Sequence, residues 1–593
     1  MSETTPSQQP SYVHDALRAE ATALVAATGL ARAEDVPLVT PKPNITADLA
    51  LPVFPLAKAA GANPNELAQR IAAAVTPRPD GLIGKVEPMG GFVNFAVAPE
   101  RFASAVLGDV LARADAYGED RGVGGGAKTV VEYSSPNIAR KMHVGHLRST
   151  VIGNSVRRIL AALGYDVIAD NHLGDWGTQF GTLLAALDQW KLTPWDDADP
   201  VQSLVEVYAR YNNAAKEDPA LMDAARAWFR KLEEGDPWAR ATWQRLIDIT
   251  MVEFERTYKR LGVAFDTTHG ESYYEPVLDA LIREAIDKGV ARIEADGAVS
   301  VDFGEALPSF LLRKSDGATL YQTRDVATAI WRWKEYAPAR NIYVVGAEQR
   351  LHFQQVFETV RRMGYPEIAD RSVHIPFGAV TDAGGQRFSM RKGTAIFLDE
   401  VLDEAVERAE AVMREQIAAG RSEVTEEEVA PISEMLGLGA VTYADLYQGP
   451  ERNIRFDWDK MLSFDGNTAT YIQYTHARCR SILRKAGGDA DVAATLAGAD
   501  ASLLTEPEAQ VVLKQLSKLP QAVREAGEKF APATVADWTY NVAREYARFY
   551  DRCPVLKAET PELRAARLAL TAAVAQGLKN GLALLGIGAP ERM

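Results

Sequence analysis

The sequence predicts an α/β protein built on a parallel sheet, with a small α+β domain before it and an all-α domain behind it. Three observations predict this. The β-branched run Val130-Val131-Glu132 ends in Ser-Ser-Pro-Asn, a segment of helical periodicity then runs from His143 to Leu163 and Gly164, and Asp166–Asp170 reads as a second strand. That is a βαβ unit whose helix N-terminus faces the strand ends, a crevice that favours phosphates. Second, Asn341–Gly346 is a nearly continuous apolar run, the pattern of a buried parallel strand, and it delivers Glu348-Gln349-Arg350-Leu351-His352 to the carboxyl edge of the sheet. Third, the pattern beyond Leu398 is almost wholly helical.

The bulk numbers agree with a large globular chain. Its 593 residues are 47% hydrophobic, enough for several buried cores. A net charge of −15 argues against non-specific nucleic-acid binding by the whole surface. The charge is unevenly spread: Val441–Met593 holds 19 basic and 18 acidic residues, net +1, against −16 over the first 440 positions. A polyanion should therefore prefer the C-terminal part. Cys479 and Cys553 lack CxxC spacing, which predicts free thiols and no cysteine-held zinc. No apolar run approaches the ~18 residues of a membrane helix, and Met1–Pro10 carries no apolar signal core. A cytoplasmic protein without a membrane partner is the expectation.

In chain order, Ser11–Leu30 has helical spacing, and Pro64–Ala74 is a second helix with Asn63 as its cap and Glu66 placed for a capping box. Gly90–Phe95 alternates like a strand, so residues 1–118 form the small α+β domain. Arg121–Lys128 is glycine-rich but precedes its strand and lacks the glycine expected before the lysine, so it reads as a flexible linker and not a phosphate loop. His143 and His146 then open the helix at i, i+3. A helix N-terminus repels cations and suits phosphate, and no third ligand lies nearby, so no metal site is predicted there. Gly145, lacking a Cβ, gives a flat base or ribose access to the backbone. Residues from about 190 to 300 hold long helical patterns with Trp228, Trp238, Trp243 and Tyr258 as packing residues. Gly384–Gly393 is a glycine-flanked basic loop. Tyr471, Tyr474, His476, Arg478, Arg480, Arg484 and Lys485 interleave aromatics with positive charge, as a nucleic-acid-reading helix would.

His143-Val144-Gly145-His146 resembles the HIGH signature of class I aminoacyl-tRNA synthetases. The surrounding Ser134–Thr150, then Asn171–Gly181, Leu320–Asp325 and the ending Gly586–Met593 resemble the arginyl-tRNA synthetases in particular, a likeness spanning nearly the whole chain. The resemblance implies a Rossmann-type class I catalytic domain over 119–398 with an insertion at about 190–300, an additional tRNA-binding domain over 1–118, and a helical stem-contact and anticodon-binding domain over 399–593. It implies arginine activation by ATP and transfer to the 3′ end of tRNA(Arg), with Mg²⁺ accompanying the nucleotide and a monomeric enzyme. It places ATP at Pro136, Met142, His143, Val144, Gly145 and His146, and at Arg387, Ser389 and Lys392. It places arginine at Glu132, Asn137, Tyr321, Asp325 and Gln349. Tyr474, Arg478 and Arg484 are the tRNA-contact candidates.

One departure stands out. Gln386–Gly393 falls where the family carries its KMSKS loop, but Arg387 replaces the first lysine, Phe388 the methionine and Met390 the second lysine. Arg140 and Lys141 lie just before the histidines, and either of them could supply the missing charge. A nucleotidyltransferase sharing only the first βαβ unit would not need the helical tail, and a non-catalytic tRNA-binding relative would not need Glu132, Asp325 and both histidines.

Overall fold

The computed structural model describes residues 12–42, 45–381, 397–487 and 489–593. The small domain comes first. Strands β1 (Leu49–Pro52), β2 (Ile83–Met89) and β3 (Phe92–Val97) form an antiparallel sheet in the order β1-β3-β2. Helices Val13–Ala27, Pro64–Ala74 and Pro99–Arg113 accompany it. Asn63 caps the second of these, its Oδ1 accepting from Asn65 N at 2.9 Å and from Glu66 N at 3.4 Å.

The glycine-rich stretch before the central sheet is not a flexible linker. Arg121–Gly124 is a helical turn packed on the first crossover, with Gly124 N donating to Leu163 O at 2.7 Å and Gly126 N to Gly164 O at 2.8 Å. A Cβ on Gly164 would lie 2.2 Å from Arg121 O, so both backbones need glycine to come this close. The composition predicted freedom where the two chains instead lock together.

The central sheet contains β4 (Lys128–Glu132), β5 (Asp166–Asp170), β9 (Arg340–Gly346) and β10 (Ser372–Phe377), all parallel, in the order β10-β9-β4-β5. From β4 the chain crosses to β5 on one side, and from β9 to β10 on the other. The carboxyl ends of β4 and β9 therefore flank the switch point where ligands bind in such sheets. Helix Val144–Ala162 covers one face, where Gly153 sits so near Tyr133 that a Cβ would lie 2.2 Å from that side chain. Val130, Val131, Ile342 and Val344 are fully buried, as their β-branched run predicts.

Between the halves lie helices Thr178–Trp190, Pro200–Glu217, Ala220–Glu234 and Pro237–Arg260. They are followed by a three-stranded antiparallel sheet of β6 (Ala291–Ile293), β7 (Val299–Val301) and β8 (Phe310–Arg313). This sheet runs past the expected end of the insertion near 300. Strands of three or four residues are too short to show a period-two pattern. Trp243 packs edge-on against Trp176 and donates Nε1–H to Asp175 O at 2.8 Å, whereas Trp238 is exposed.

From Leu398 onward the chain is helical apart from the two-residue strand Ile454–Arg455, which pairs in parallel with Val380–Thr381, and its last long helix, Pro561–Leu584, is buried on most of its circumference. A helix apolar nearly all round belongs at the centre of a bundle. The small domain docks on this bundle: Tyr117 Oη donates to Leu516 O at 2.8 Å, Arg524 pairs with Asp15 at 2.5 Å, and Lys514 with Asp48 at 2.7 Å. Several side chains on the helix that covers the catalytic sheet bond to the bundle, Ser155 Oγ donating to Leu584 O at 3.0 Å among them. Arg148, on the helix that starts at His143, is fully buried and pairs with Asp445 at 3.1 Å. It also donates to Gly378 O at 2.7 Å, Arg452 O at 2.8 Å and Pro450 O at 3.1 Å. Both cysteines are free and buried. Among the described residues no helix is long and apolar enough to cross a membrane.

Candidate active site

The loop between β4 and its helix holds three non-glycine residues at positive φ: Ser134 at 70°, Ser135 at 49° and Ala139 at 59°. Such conformations cost of order 1–3 kcal/mol each and need outside support. Here Ser134 N donates to Ser149 Oγ at 2.9 Å, Ser135 N to Asn171 Oδ1 at 3.1 Å, and Ala139 N to Thr250 Oγ1 at 3.1 Å. The strain is thus held by the crossover helix, the segment after β5 and the insertion together.

His143 is the N-cap of Val144–Ala162. Its Nδ1 accepts from Gly145 N at 3.0 Å, and His146 Nδ1 accepts from His143 N at 3.0 Å, a reciprocal cap made by two imidazoles. An Nδ1 that accepts is unprotonated, so in the neutral rings the proton sits on Nε2, leaving two N–H donors at a helix N-terminus. The rings lie 4.0 Å apart, centroid to centroid. Gly145 has a second reason to lack a Cβ, which would stand 2.8 Å from His143 Cε1. Burial, then the charge of Arg140, lowers the His143 pKa. Burial, then His143 and Arg140, pushes His146 down to about 3.

A pH dependence follows from His146. Its unfolded pKa is about 6.5, so as pH falls below that value the unfolded chain gains a proton that the folded chain refuses, and stability drops until about pH 3. The expected loss between pH 6.5 and 5 is about 1–2 kcal/mol. His146→Asn should show a smaller acid-induced fall in melting temperature than the parent; an unchanged pH profile would exclude this origin.

Arg140 lies over the Tyr208 ring at 5.2 Å, while Lys141 Nζ is paired with Asp199 at 2.6 Å and sits 5.5 Å from the Phe397 ring. Met142 is buried, and its carbonyl accepts from Leu398 N at 2.9 Å. Val144 is buried in the first helical position, and Pro136 O accepts from Gly174 N at 3.1 Å. Arg387, Ser389 and Lys392 lie outside the described residues.

The switch point gathers carboxylates. Glu132, ending β4, is buried and pairs with Arg332 at 2.7 Å; Asp170, ending β5, pairs with the same guanidinium. Burial raises the Glu132 pKa against Arg332 and His172. For Asp170 burial is outweighed by Arg332, His172 and the Thr267 hydroxyl, and its pKa is lowered. Asp325 Oδ2 accepts from His352 Nε2 at 2.5 Å, and its Oδ1 faces His172 Nε2 at 3.9 Å. Tyr321 is half exposed with its ring 4.9 Å from that of His352. Gln349 is half-buried in the turn after β9. Asn137 is exposed, and its Oδ1 crowds Gly174 so closely that a Cβ there would lie 1.9 Å away.

Sequence reading missed His172, Glu271, Arg332 and His352 as members of this cluster. Glu271 is pushed up to about 7, burial outweighing Arg324 and His172 with Asp325 adding to the rise. Its signal in sequence was only one acidic residue in a run of helical patterns. His172 and His352 did lie in segments flanked by glycine or by the end of a strand, which was the available clue.

On the helical domain, Arg478 lies over Tyr474 at 4.7 Å and Tyr550 at 5.2 Å. Two of its neighbours on Ala469–Ala486 bond to the chain itself, while Lys485 is exposed. His476 Nδ1 donates to Pro590 O at 2.9 Å, and Arg484 donates to Glu591 O at 2.8 Å. Part of the expected nucleic-acid face thus grips the chain's own last residues.

Comparison with known proteins agrees with this arrangement. Residues 109–458 match the model of the class I (R) tRNA synthetase catalytic domain, 472–593 the DALR anticodon binding domain, and 12–97 the arginyl tRNA synthetase N-terminal domain. A protein named arginine–tRNA ligase from Chloroflexus aggregans is 50% identical over 569 residues, covering 96% of this chain and 97% of its own. One of the same name from Clostridium perfringens is 40% identical, covering 94% and 95%. The Thermus thermophilus arginyl-tRNA synthetase structure superposes with a TM-score of 0.79 at 26% identity, over 97% of this chain and 100% of that one. With its parallel catalytic sheet, N-terminal domain and helical C-terminal domain, the chain belongs to the arginyl-tRNA synthetases, class I enzymes that use ATP to charge tRNA(Arg) with arginine.

Proposed function

We propose that arginine and ATP meet at the carboxyl ends of β4 and β9, with the side chains gathered there in distinct roles. The observation that carries this is the excess of carboxylates at the switch point: Glu132, Asp170, Glu271, Glu275 and Asp325 stand against Arg324, Arg332 and His172. A buried excess of negative charge calls for a cation, and a planar guanidinium with five donors suits several acceptors better than a compact ammonium. Asp325 and Glu132 hold the guanidinium side, with Tyr321 alongside, while Asn137 and Gln349 hold the amino-acid end. A site of buried acceptors rejects ligands that leave them unpaired by roughly 10⁴- to 10⁵-fold, so no editing step is required.

The arginine carboxylate attacks the α-phosphate of ATP, giving arginyl-adenylate and pyrophosphate, and a ribose hydroxyl at the tRNA 3′ end then displaces AMP. No covalent enzyme intermediate is needed, and rate comes from positioning and charge stabilisation. The Nε2–H groups of His143 and His146 donate to phosphate oxygens as neutral rings. Pro136, Met142, Val144 and Gly145 shape the adenosine approach, and Arg387, Ser389 and Lys392 belong to the loop over the phosphates. Mg²⁺ accompanies the triphosphate and offsets its charge. Among the described residues there is no group of three His, Cys, Asp or Glu side chains that could hold a metal. We assign Tyr474 and Arg478 to tRNA contact, Arg484 to holding the C-terminal tail that backs that helix, and residues 1–118 to an additional tRNA contact. The enzyme is taken as a cytoplasmic monomer.

Between the two candidates for the missing loop charge, Arg140 is favoured, because its charge acts on both His143 and His146 whereas Lys141 is engaged by Asp199. Pyrophosphate exchange with tRNA(Arg) present tests the whole reading. Exchange should require arginine among the amino acids, fall about 10²- to 10³-fold in Arg140→Ala, fall less than about tenfold in Lys141→Ala, and partly recover when Met390→Lys is added to Arg140→Ala. Equal exchange with another amino acid would sink the specificity assignment, and unchanged exchange in both single variants would sink the compensation.

A further inference from the structure

His172 is the buried titratable group of this pocket to which neither the chemistry nor the guanidinium fork gives a role. Its Nδ1 lies 2.9 Å from the backbone carbonyl of His269. A carbonyl can only accept, so Nδ1 carries a hydrogen in every protonation state. The remaining nitrogen, Nε2, is buried, has no hydrogen-bond partner, and faces Asp325 Oδ1 at 3.9 Å. Asp325 already accepts from His352 through its other oxygen, at 2.5 Å. The carboxylate assigned to the guanidinium thus has an imidazole beside each oxygen, one bonded and one waiting.

Resting on the reading of this pocket as the arginine site, we propose that His172 is a specificity-determining residue that stands in for the substrate cation: protonated at Nε2 beside Asp325 in the empty pocket, it gives that proton to solvent when the guanidinium arrives. The bare Nε2 then accepts one guanidinium N–H while Asp325 accepts another. Two cations sharing one buried carboxylate would repel, and the proton is the one that can leave, because guanidinium does not titrate in proteins. The groups around His172 are Glu132 from β4, Asp170 from β5, Asp175 beyond it, Glu271 and Tyr274 from the turn before Glu275, and Asp325 and Arg332 from Tyr321–Tyr336. His269 also faces it. Burial disfavours the His172 charge, but Glu132 and Asp325 outweigh burial and Arg332, and the pKa is raised.

Arginine binding should therefore release close to one proton below the His172 pKa and none well above it. The apparent affinity for arginine should weaken toward tenfold per pH unit on the acid side. Calorimetric titration of the full-length protein with arginine, in buffers of different ionisation enthalpy, counts that proton. Glu271, Glu132 and Asp175, all raised by burial, are the other groups able to release one, and Glu271, pushed up to about 7, is the foremost of them. Release that persists in Glu271→Gln and vanishes in His172→Gln, with arginine still bound, is the expected result; release that vanishes in Glu271→Gln and persists in His172→Gln overturns the proposal. Should His172→Gln fail to fold, ¹⁵N-histidine spectra of the parent protein decide, since a ring already neutral before arginine is added overturns the proposal equally. Arginine binding that is absent, or indifferent to Asp325→Ala, defeats the pocket reading instead, so the two failures are distinguishable.

Discussion

Arg148→Ala is expected to destabilise the protein by about 3–5 kcal/mol, because it leaves the Asp445 carboxylate buried without its partner. Burial already raises the Asp445 pKa against the pull of Arg148, so the acid has little hydration to fall back on. Three backbone carbonyls, from Gly378, Pro450 and Arg452, lose their donor in the same substitution. A loss of that size should lower the melting temperature of the 593-residue chain by about 2–4 °C, read by calorimetry on the full chain. Arg148→Ala combined with Asp445→Ala should cost clearly less than the sum of the singles, since the two share one interaction. Additive losses, or a single-variant shift below about 1 °C, would show that the joint between sheet and bundle does not rest on this pair.

Asp325→Ala should lower kcat/KM for arginine by about 10³-fold or more while leaving the KM for ATP within a few-fold of the parent. The carboxylate lies among Glu132, His172 and His352, so its removal strips the guanidinium of an acceptor without touching the imidazoles at the helix start. Steady-state kinetics with arginine and ATP varied separately make the comparison. Equal losses for both substrates would mean that Asp325 supports the shape of the whole crevice and does not select arginine.

The sheet was legible because its strands advertise themselves. Val130–Glu132 and Asn341–Gly346 are apolar and β-branched, and each ends in polar groups at the edge where a switch point must lie. The two histidines stood out as opening a helix straight after a strand and a basic pair, whereas their mutual capping was hidden, since one ring must fold back on the other's backbone. Arg332 was hidden for a different reason. Within an aromatic helix it looks like any solvated arginine, and only the fold brings β4 and β5 to it from 200 and 162 positions away. The short strands between Ala291 and Arg313 were lost in helical neighbours, and the glycines at Arg121–Lys128 misled because glycine permits close packing as readily as freedom.

The docking of the first domain onto the last bears on how the chain is made. Tyr117 and its carbonyl partner Leu516 are separated by 399 positions. At about 5–20 residues per second, the ribosome needs about 20–80 s to produce the surface on which the first domain rests. During that interval the docking side of the small domain, including Tyr117 and Asp15, has only water or a chaperone to cover it. The catalytic sheet can close as soon as β10 emerges, and its joint through Asp445, Pro450 and Arg452 follows before the helices on which the small domain rests are made. Assembly is therefore ordered in time: the catalytic sheet and its joint to the first long helices precede the docking of the small domain.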